Sequence, residues 1–199
     1  MSILDLEGAT FETFVEGPSN HAAAAAAREV AEHPTGSGAS LVLVGPPGVG
    51  KTHLLSALTA AVRAGDSGCE VIQEAAAGLL DRARGLAGGL APLHECGLLV
   101  LDDVDQMAGH PELEGVLLEL LLGRLPFGRP IVLASAQPLD ALGRVGAEIT
   151  EQLGERPVTR LAPPDDGTRL AILRRRAADL QPGLPDEVLA TVARRPIGS

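Results

Sequence analysis

Eight residues, Gly45-Pro46-Pro47-Gly48-Val49-Gly50-Lys51-Thr52, constrain this chain more than any others. They spell G-x-x-x-x-G-K-T between an apolar run, Leu41-Val42-Leu43-Val44, and a helix-like stretch from His53 to Val62. A phosphate-binding loop requires that order: a buried strand, a turn whose glycines free backbone N–H groups, then a helix N-terminus directed at the anion. Such a loop brings Pro47, Gly48, Val49, Gly50 and His53 around the phosphates of a nucleotide. Lys51 reaches the β- and γ-phosphates as a point charge, and the Thr52 hydroxyl sits on Mg²⁺. The pattern speaks for nucleotide binding more directly than for hydrolysis.

Two further apolar runs, Leu98-Leu99-Val100-Leu101 and Pro130-Ile131-Val132-Leu133-Ala134-Ser135, are continuous rather than alternating. Continuous apolar strands separated by helices are what a parallel sheet covered on both faces demands. Around these runs the sequence predicts helices at Ala22–Ala27 continuing to Glu32, from the phosphate loop to Arg63, and at Glu112–Leu122, with a short strand near Glu70–Gln73. Ser19 or Asn20 is positioned to cap the first helix. The segment Ala75–Leu93 reads only as helical patches broken by Gly85, Gly88, Gly89 and Pro92. Pro163-Pro164 marks a boundary, after which Thr168–Ala178 and Asp186–Arg195 read as two short helices.

Composition narrows the partners. Aromatic residues make up 2 %, with no Trp or Tyr, so Leu, Val, Ala and Ile must fill the core and the usual platforms for stacking bases are missing. A net charge of −10, with Lys51 the only lysine, argues against a broad grip on a nucleic-acid backbone. Its arginines gather at Arg174-Arg175-Arg176 and Arg194-Arg195, which read as a solvated helix face or a surface for a partner. Cys69 and Cys96 lack metal-ligand spacing and read as reduced, buried, small apolar residues. Met1 to Phe14 do not form a signal peptide, and no apolar run reaches membrane-spanning length. The cytoplasm is the expected compartment.

The run ending in Asp102-Asp103 supplies the usual partner of a phosphate loop. Asp102, at the end of a buried strand, would hold Mg²⁺ through water, and Asp103 would polarise an attacking water. Acids also end strands because turns favour them, but these lie about fifty residues after Lys51 with a strand on each side.

With those residues in place, the chain resembles the AAA+ domain of the bacterial replication initiator DnaA and its shorter relatives of the Hda type. The stretch Thr10-Phe11-Glu12-Thr13-Phe14-Val15-Glu16-Gly17-Pro18-Ser19-Asn20 is similar to the family opening T-F-x-x-F-V-x-G-x-S-N. Gly50-Lys51-Thr52-His53-Leu54-Leu55 matches G-K-T-H-L-L, and Leu99 to Val104 with Ala108-Gly109 resembles L-L-I-D-D-I-x-x-x-A-G. Leu184-Pro185-Asp186-Glu187-Val188-Leu189 resembles the opening of the family's lid. The resemblance implies an α/β fold: a three-layer P-loop NTPase of the AAA+ type with a parallel sheet over residues 1–162, and the start of a helical lid, cut short, over 163–199. It also implies ATP or ADP with Mg²⁺, Val15, Gly17 and Asn20 near the adenine and ribose, and self-association or another replication protein as partner. Phe11, Phe14 and Val15 can equally staple the entering chain onto the domain.

Several positions depart from the family. Ala136 stands where the first sensor carries an acidic or amide side chain, and Gln152 stands where the arginine finger falls. Arg144 and Arg156 are the nearby substitutes. Ala75–Glu95, which in the initiator carries an extra helix for single strands, holds only Arg82 and Arg84 as bases. The chain stops at Pro196-Ile197-Gly198-Ser199, before a second-sensor arginine or a helix-turn-helix, which reads as a truncation. The expectation is a nucleotide switch in replication initiation or its regulation, with slow hydrolysis and weak binding of duplex DNA. The alternatives are a non-enzymatic adaptor, a fully active replication ATPase and, more distantly, a helicase loader or transposition helper.

Overall fold

The computed structural model describes residues 8–65, 67–154, 158–180 and 184–194. Five parallel strands, β1 (Leu41–Val44), β2 (Val71–Ala75), β3 (Leu98–Asp102), β4 (Ile131–Ser135) and β5 (Val158–Arg160), form one sheet in the order β2-β3-β4-β1-β5. Every residue of β1, β3 and β4 is buried. The apolar runs are continuous because alternate residues serve two different cores. Leu41 and Leu43, Leu98 and Val100, and Val132 and Ala134 enter the core under helices α1 (His21–Glu32) and α2 (Lys51–Ala64). Val42 and Val44, Leu99 and Leu101, and Ile131 and Leu133 enter the opposite core, covered by α3 (Ala76–Ala83), α5 (Pro111–Arg124) and α6 (Arg144–Leu153). This is the expected three-layer α/β architecture.

The glycine-broken segment resolves into α3, a 3₁₀ turn at Leu86–Gly88 and a short helix, α4 (Ala91–Glu95). Two elements have no counterpart in the sequence reading. Strand β5 is an edge of three residues with exposed or half-buried side chains, so it leaves no apolar run. Helix α6 buries Val145, Ile149 and Leu153 at every fourth position, a helical signal diluted by its exposed residues. Asn20 occupies the position before α1 but makes no side-chain cap, because its amide is engaged elsewhere. Beyond β5 two helices, α7 (Asp166–Leu180) and α8 (Asp186–Ala193), pack together. Arg169 donates to the Ala193 carbonyl at 2.7 Å, and Arg174 pairs with Asp186 at 2.6 Å. Arg195 lies outside the described residues.

The thiols sit on opposite faces, Cys96 inside one core and Cys69 half-buried against the other, and burial pushes both above the usual thiol range. Beside Cys96 lies Arg124, fully buried at the C-terminal end of α5. Its guanidinium donates to the carbonyls of Leu93, Cys96 (3.1 Å) and Pro130 (3.0 Å), and burial holds its pKa below the usual value. One charged fork thus gathers α4, the start of β3 and the start of β4. Replacing it strands several buried carbonyls, so Arg124→Leu is expected to lower the unfolding free energy by about 2–4 kcal/mol. Urea denaturation of the two proteins measures the difference.

Candidate nucleotide site

The C-terminal ends of β1, β3 and β4 converge on the loop between β1 and α2. Gly48 and Gly50 adopt left-handed backbone conformations, with φ of 80° and 100°, which turn the loop into the first turn of α2. The Phe14 ring lies 3.1 Å from where a Cβ on Gly50 would stand, so a side chain there would meet both strain and the ring. Lys51 is buried, and its Nζ donates to the carbonyls of Gly45 (2.8 Å) and Pro46 (3.2 Å).

Thr52 Oγ1 donates to Asp102 Oδ2 at 2.6 Å, and the other oxygen of this fully buried carboxylate accepts the Asp103 N–H at 2.9 Å. Two hard oxygen donors, one neutral and one anionic, therefore meet at the first turn of α2. That donor set fits a small divalent cation that keeps most of its water. Asp103 is held in the left-handed region at φ 56°, half-buried. Its carboxyl is raised above the usual aspartate range by burial first, then by Asp102 and Asp105, with Lys51 opposing. Asp105 in turn accepts the N–H of Ala136 at 2.7 Å, tying the turn after β3 to the end of β4.

A cavity of about 540 Å³ opens beside the loop, a volume in the range of small-molecule sites. Of the residues named from sequence, Val15, Asn20, Gly48, Val49, Gly50 and His53 line it. Lys51 and Thr52 adjoin it with their polar ends turned to the loop carbonyls and to Asp102. Gly17 and Pro47 are not among its lining. Pro47 is exposed, whereas a Cβ on Gly17 would stand 2.0 Å from the Thr168 hydroxyl of α7. Gly17 therefore serves the close approach of the entering segment to α7. Asn20 holds that segment in shape, accepting from Gly17 N (2.9 Å) and donating to Val15 O (3.1 Å). The staple reading holds as well: Phe14 is buried and meets the His53 ring edge-on at 5.4 Å. Burial above all lowers the His53 pKa, with smaller contributions from Arg176 and Arg175.

Sequence reasoning missed the contribution of α7. Ile172, Arg175 and Arg176 also line the cavity, so part of the arginine cluster faces the site. Their spacing, i, i+3 and i+4, was the available signal. Gln152 lies on α6, half-buried, and Arg144 is engaged by Glu148 at 3.2 Å. Arg156 lies outside the described residues. Between β2 and β3, Arg82 pairs with Glu74 at 2.7 Å and Arg84 with Glu112 at 3.3 Å.

A family model described as the bacterial DnaA ATPase domain matches residues 6–83. The chromosomal replication initiator protein DnaA of Caulobacter vibrioides is 32 % identical over 198 residues, covering 94 % of this chain. The chain spans 40 % of the length of that relative. Domain III of the Thermotoga maritima replication initiation protein DnaA superposes with a TM-score of 0.81 at 30 % identity, over 94 % of this chain and 80 % of that one. DnaA from Aquifex aeolicus, solved with AMPPCP bound, shares the fold, with a TM-score of 0.77 at 21 % identity over 96 % of this chain and 61 % of that one.

The Asp103 environment sets a pH-dependent cost. A carboxyl whose folded pKa is raised costs stability above its ordinary range of about 3.9 and costs nothing once pH falls below it. Asn carries no charge and tolerates left-handed backbone. Asp103→Asn is therefore expected to stabilise the fold modestly at pH 7. Thermal melts from pH 7 toward pH 4 should show the advantage shrinking.

Proposed function

Since the chain belongs to the family of the bacterial DnaA ATPase domain, we propose that it binds ATP or ADP with Mg²⁺ and acts as a nucleotide-dependent switch in replication initiation or its regulation. The observation that carries this reading is the join of Thr52 to Asp102, which couples a phosphate loop, whose Gly48, Val49 and Gly50 line a cavity, to the carboxylate strand. DnaA structures described as bound to AMPPCP, one of them also to single-stranded DNA, support an adenine nucleotide as ligand. The amides of Gly48–Thr52 would take the phosphates, and Lys51 would exchange its loop carbonyls for the β- and γ-phosphate oxygens. Thr52 and Asp102 would hold Mg²⁺, which would supply positive charge against that of the phosphates. The base and ribose would lie against Val15 and Asn20, with Gly17 and Asn20 shaping that wall. Residues 1–162 would form the nucleotide-binding unit, and 163–199 would contribute to its helical lid.

Hydrolysis in this reading is slow. Asp103 can orient a water toward the γ-phosphate, but Ala136 offers no side chain to hold it, and its N–H is already taken by Asp105. Gln152 has no charge to offer a neighbour, where an arginine finger contributes about 10³–10⁵ in rate. The output would therefore pass through protein contacts, by self-association or with another replication protein in the cytoplasm. Direct grip on DNA is a minor part of this reading, because Arg82 and Arg84 are spent on carboxylates.

Lys51→Ala is expected to weaken ATP binding about 100-fold, the worth of a buried charge-assisted contact, while the melting profile persists. Calorimetry showing equal affinity would remove the assignment. Phosphate release by the unaltered chain should stay well below about 1 s⁻¹. Release at ordinary enzyme rates, abolished in Asp103→Asn, would establish an active ATPase instead. Fluorescence anisotropy at about 0.15 M salt should find only weak binding to duplex DNA, and tight saturable binding would return DNA contact to the centre of the function.

A further inference from the structure

Two walls of the cavity beside the phosphate loop meet at one residue. Thr13, Phe14 and Val15 of the entering segment contribute one wall, and Gly48, Gly50 and His53 contribute the other. His53 follows Thr52 directly in the first turn of α2, yet its hydrogen bonds run to the entering segment. Its Nε2 lies 3.1 Å from Thr13 Oγ1 and 3.4 Å from the Thr10 carbonyl oxygen. The same ring meets Phe14 edge-on, and Phe14 in turn lies against Gly50.

The direction of this bond follows from the neighbours of Thr13. Thr10 and Thr13 bond reciprocally, each N–H donating to the other's hydroxyl, at 2.8 and 3.2 Å. The Thr13 hydroxyl proton goes to the carbonyl of Gly8 (2.9 Å) or of Thr10 (3.0 Å), so toward His53 its oxygen accepts. The Thr10 carbonyl can only accept. Nε2 therefore carries a proton whichever charge the ring has, and donates it to this turn. A turn closed on itself by two threonines is a preformed unit, and the next two residues along the chain, Phe14 and Val15, are the wall. What His53 holds is thus a shaped surface and not a loose strand.

Resting on the nucleotide reading above, we propose that His53 is a positioning residue: it sets the base wall through Thr13 and Phe14 and does not itself take a phosphate. The helix whose N-terminus receives the phosphates thereby also holds the surface that receives the base and ribose. Phosphates on the loop fix the first turn of α2, and His53 passes that fixed position to the Thr10–Thr13 turn. The affinity gained by joining a base to the phosphates then depends on His53, whereas the grip on the phosphates alone does not.

The test is calorimetric titration with ADP and with inorganic tripolyphosphate, which has phosphates and no base, on variants whose melting curves show them folded. His53→Leu should weaken ADP by about five- to ten-fold, the worth of one lost hydrogen bond, and leave tripolyphosphate unchanged. His53→Gln, whose amide offers an N–H near the place of Nε2, should retain most of the ADP affinity. Thr13→Val removes the acceptor, so His53→Leu with Thr13→Val should bind ADP no more weakly than the weaker of the two single variants. Equal losses for ADP and tripolyphosphate would make His53 part of the phosphate grip. Unchanged ADP affinity in His53→Leu would leave it a staple for the fold alone, and additive losses in the double variant would mean that the two residues act separately. Any of these three results overturns the proposal. A wild-type chain that binds neither probe would overturn the nucleotide reading and the proposal with it, a result visible before any variant is compared.

Discussion

The hydrogen bond between the Thr52 hydroxyl and Asp102 organises the rest of this molecule's site. A carboxylate with no exposed surface is costly to bury unless its oxygens are satisfied. Here the two acceptors are met by Thr52 and by the Asp103 amide. Meeting them fixes three things together. The first turn of α2 is pinned to the end of β3. The backbone at Asp103 is turned into the left-handed region. The Asp103 side chain is left among other acids rather than among donors. The raised carboxyl follows from that packing, since burial and the neighbouring acids both disfavour its charged form.

The parts legible in the sequence were those fixed by burial on both faces or by local backbone chemistry. Leu41–Val44, Leu98–Leu101 and Ile131–Ser135 could be placed because no position in them meets water, and the loop between Gly45 and Thr52 because its glycines, lysine and threonine have fixed spacing. What escaped depended on contacts between distant segments. Val158–Arg160 is a strand only because β1 offers it a partner edge. Nothing in Ala75–Leu93 announces that Arg82 will stitch its glycine turns together through the carbonyls of Ala87 and Gly89. The mutual approach of Gly17 and Thr168 joins positions about 150 residues apart. Asn20 is the clearest case of a residue recognised for one reason and used for another. A helix-cap residue by position, it spends its amide on the loop preceding the helix.

The candidate site divides along the same line. Its phosphate half comes from one contiguous stretch and was readable as such. Its other half is assembled from the entering segment, His53 and α7, and has no local signature. Apolar walls such as Val15 and Ile172 also look like ordinary packing in a sequence, and an arginine facing a cavity looks like one facing solvent. Shape and charge at that end are properties of the assembled chain.

The sheet order has a consequence for how the molecule comes into being. Strand β1, which carries the phosphate loop, lies between β4 and β5, and it pairs with neither β2 nor β3. Its partners begin at Ile131 and Val158, so its backbone bonds close loops of about ninety and more than one hundred residues. Contacts of such separation form late and slowly, after their loop-closure entropy has been met. As the chain leaves the ribosome, the glycine-rich turn emerges early yet has no strand beside it until Ile131–Ser135 has been made, and lacks its second neighbour until residue 160. The most chemically specific stretch of the sequence is thus among the last to acquire its native surroundings, and a nucleotide can meet its full site only after the sheet has closed around β1.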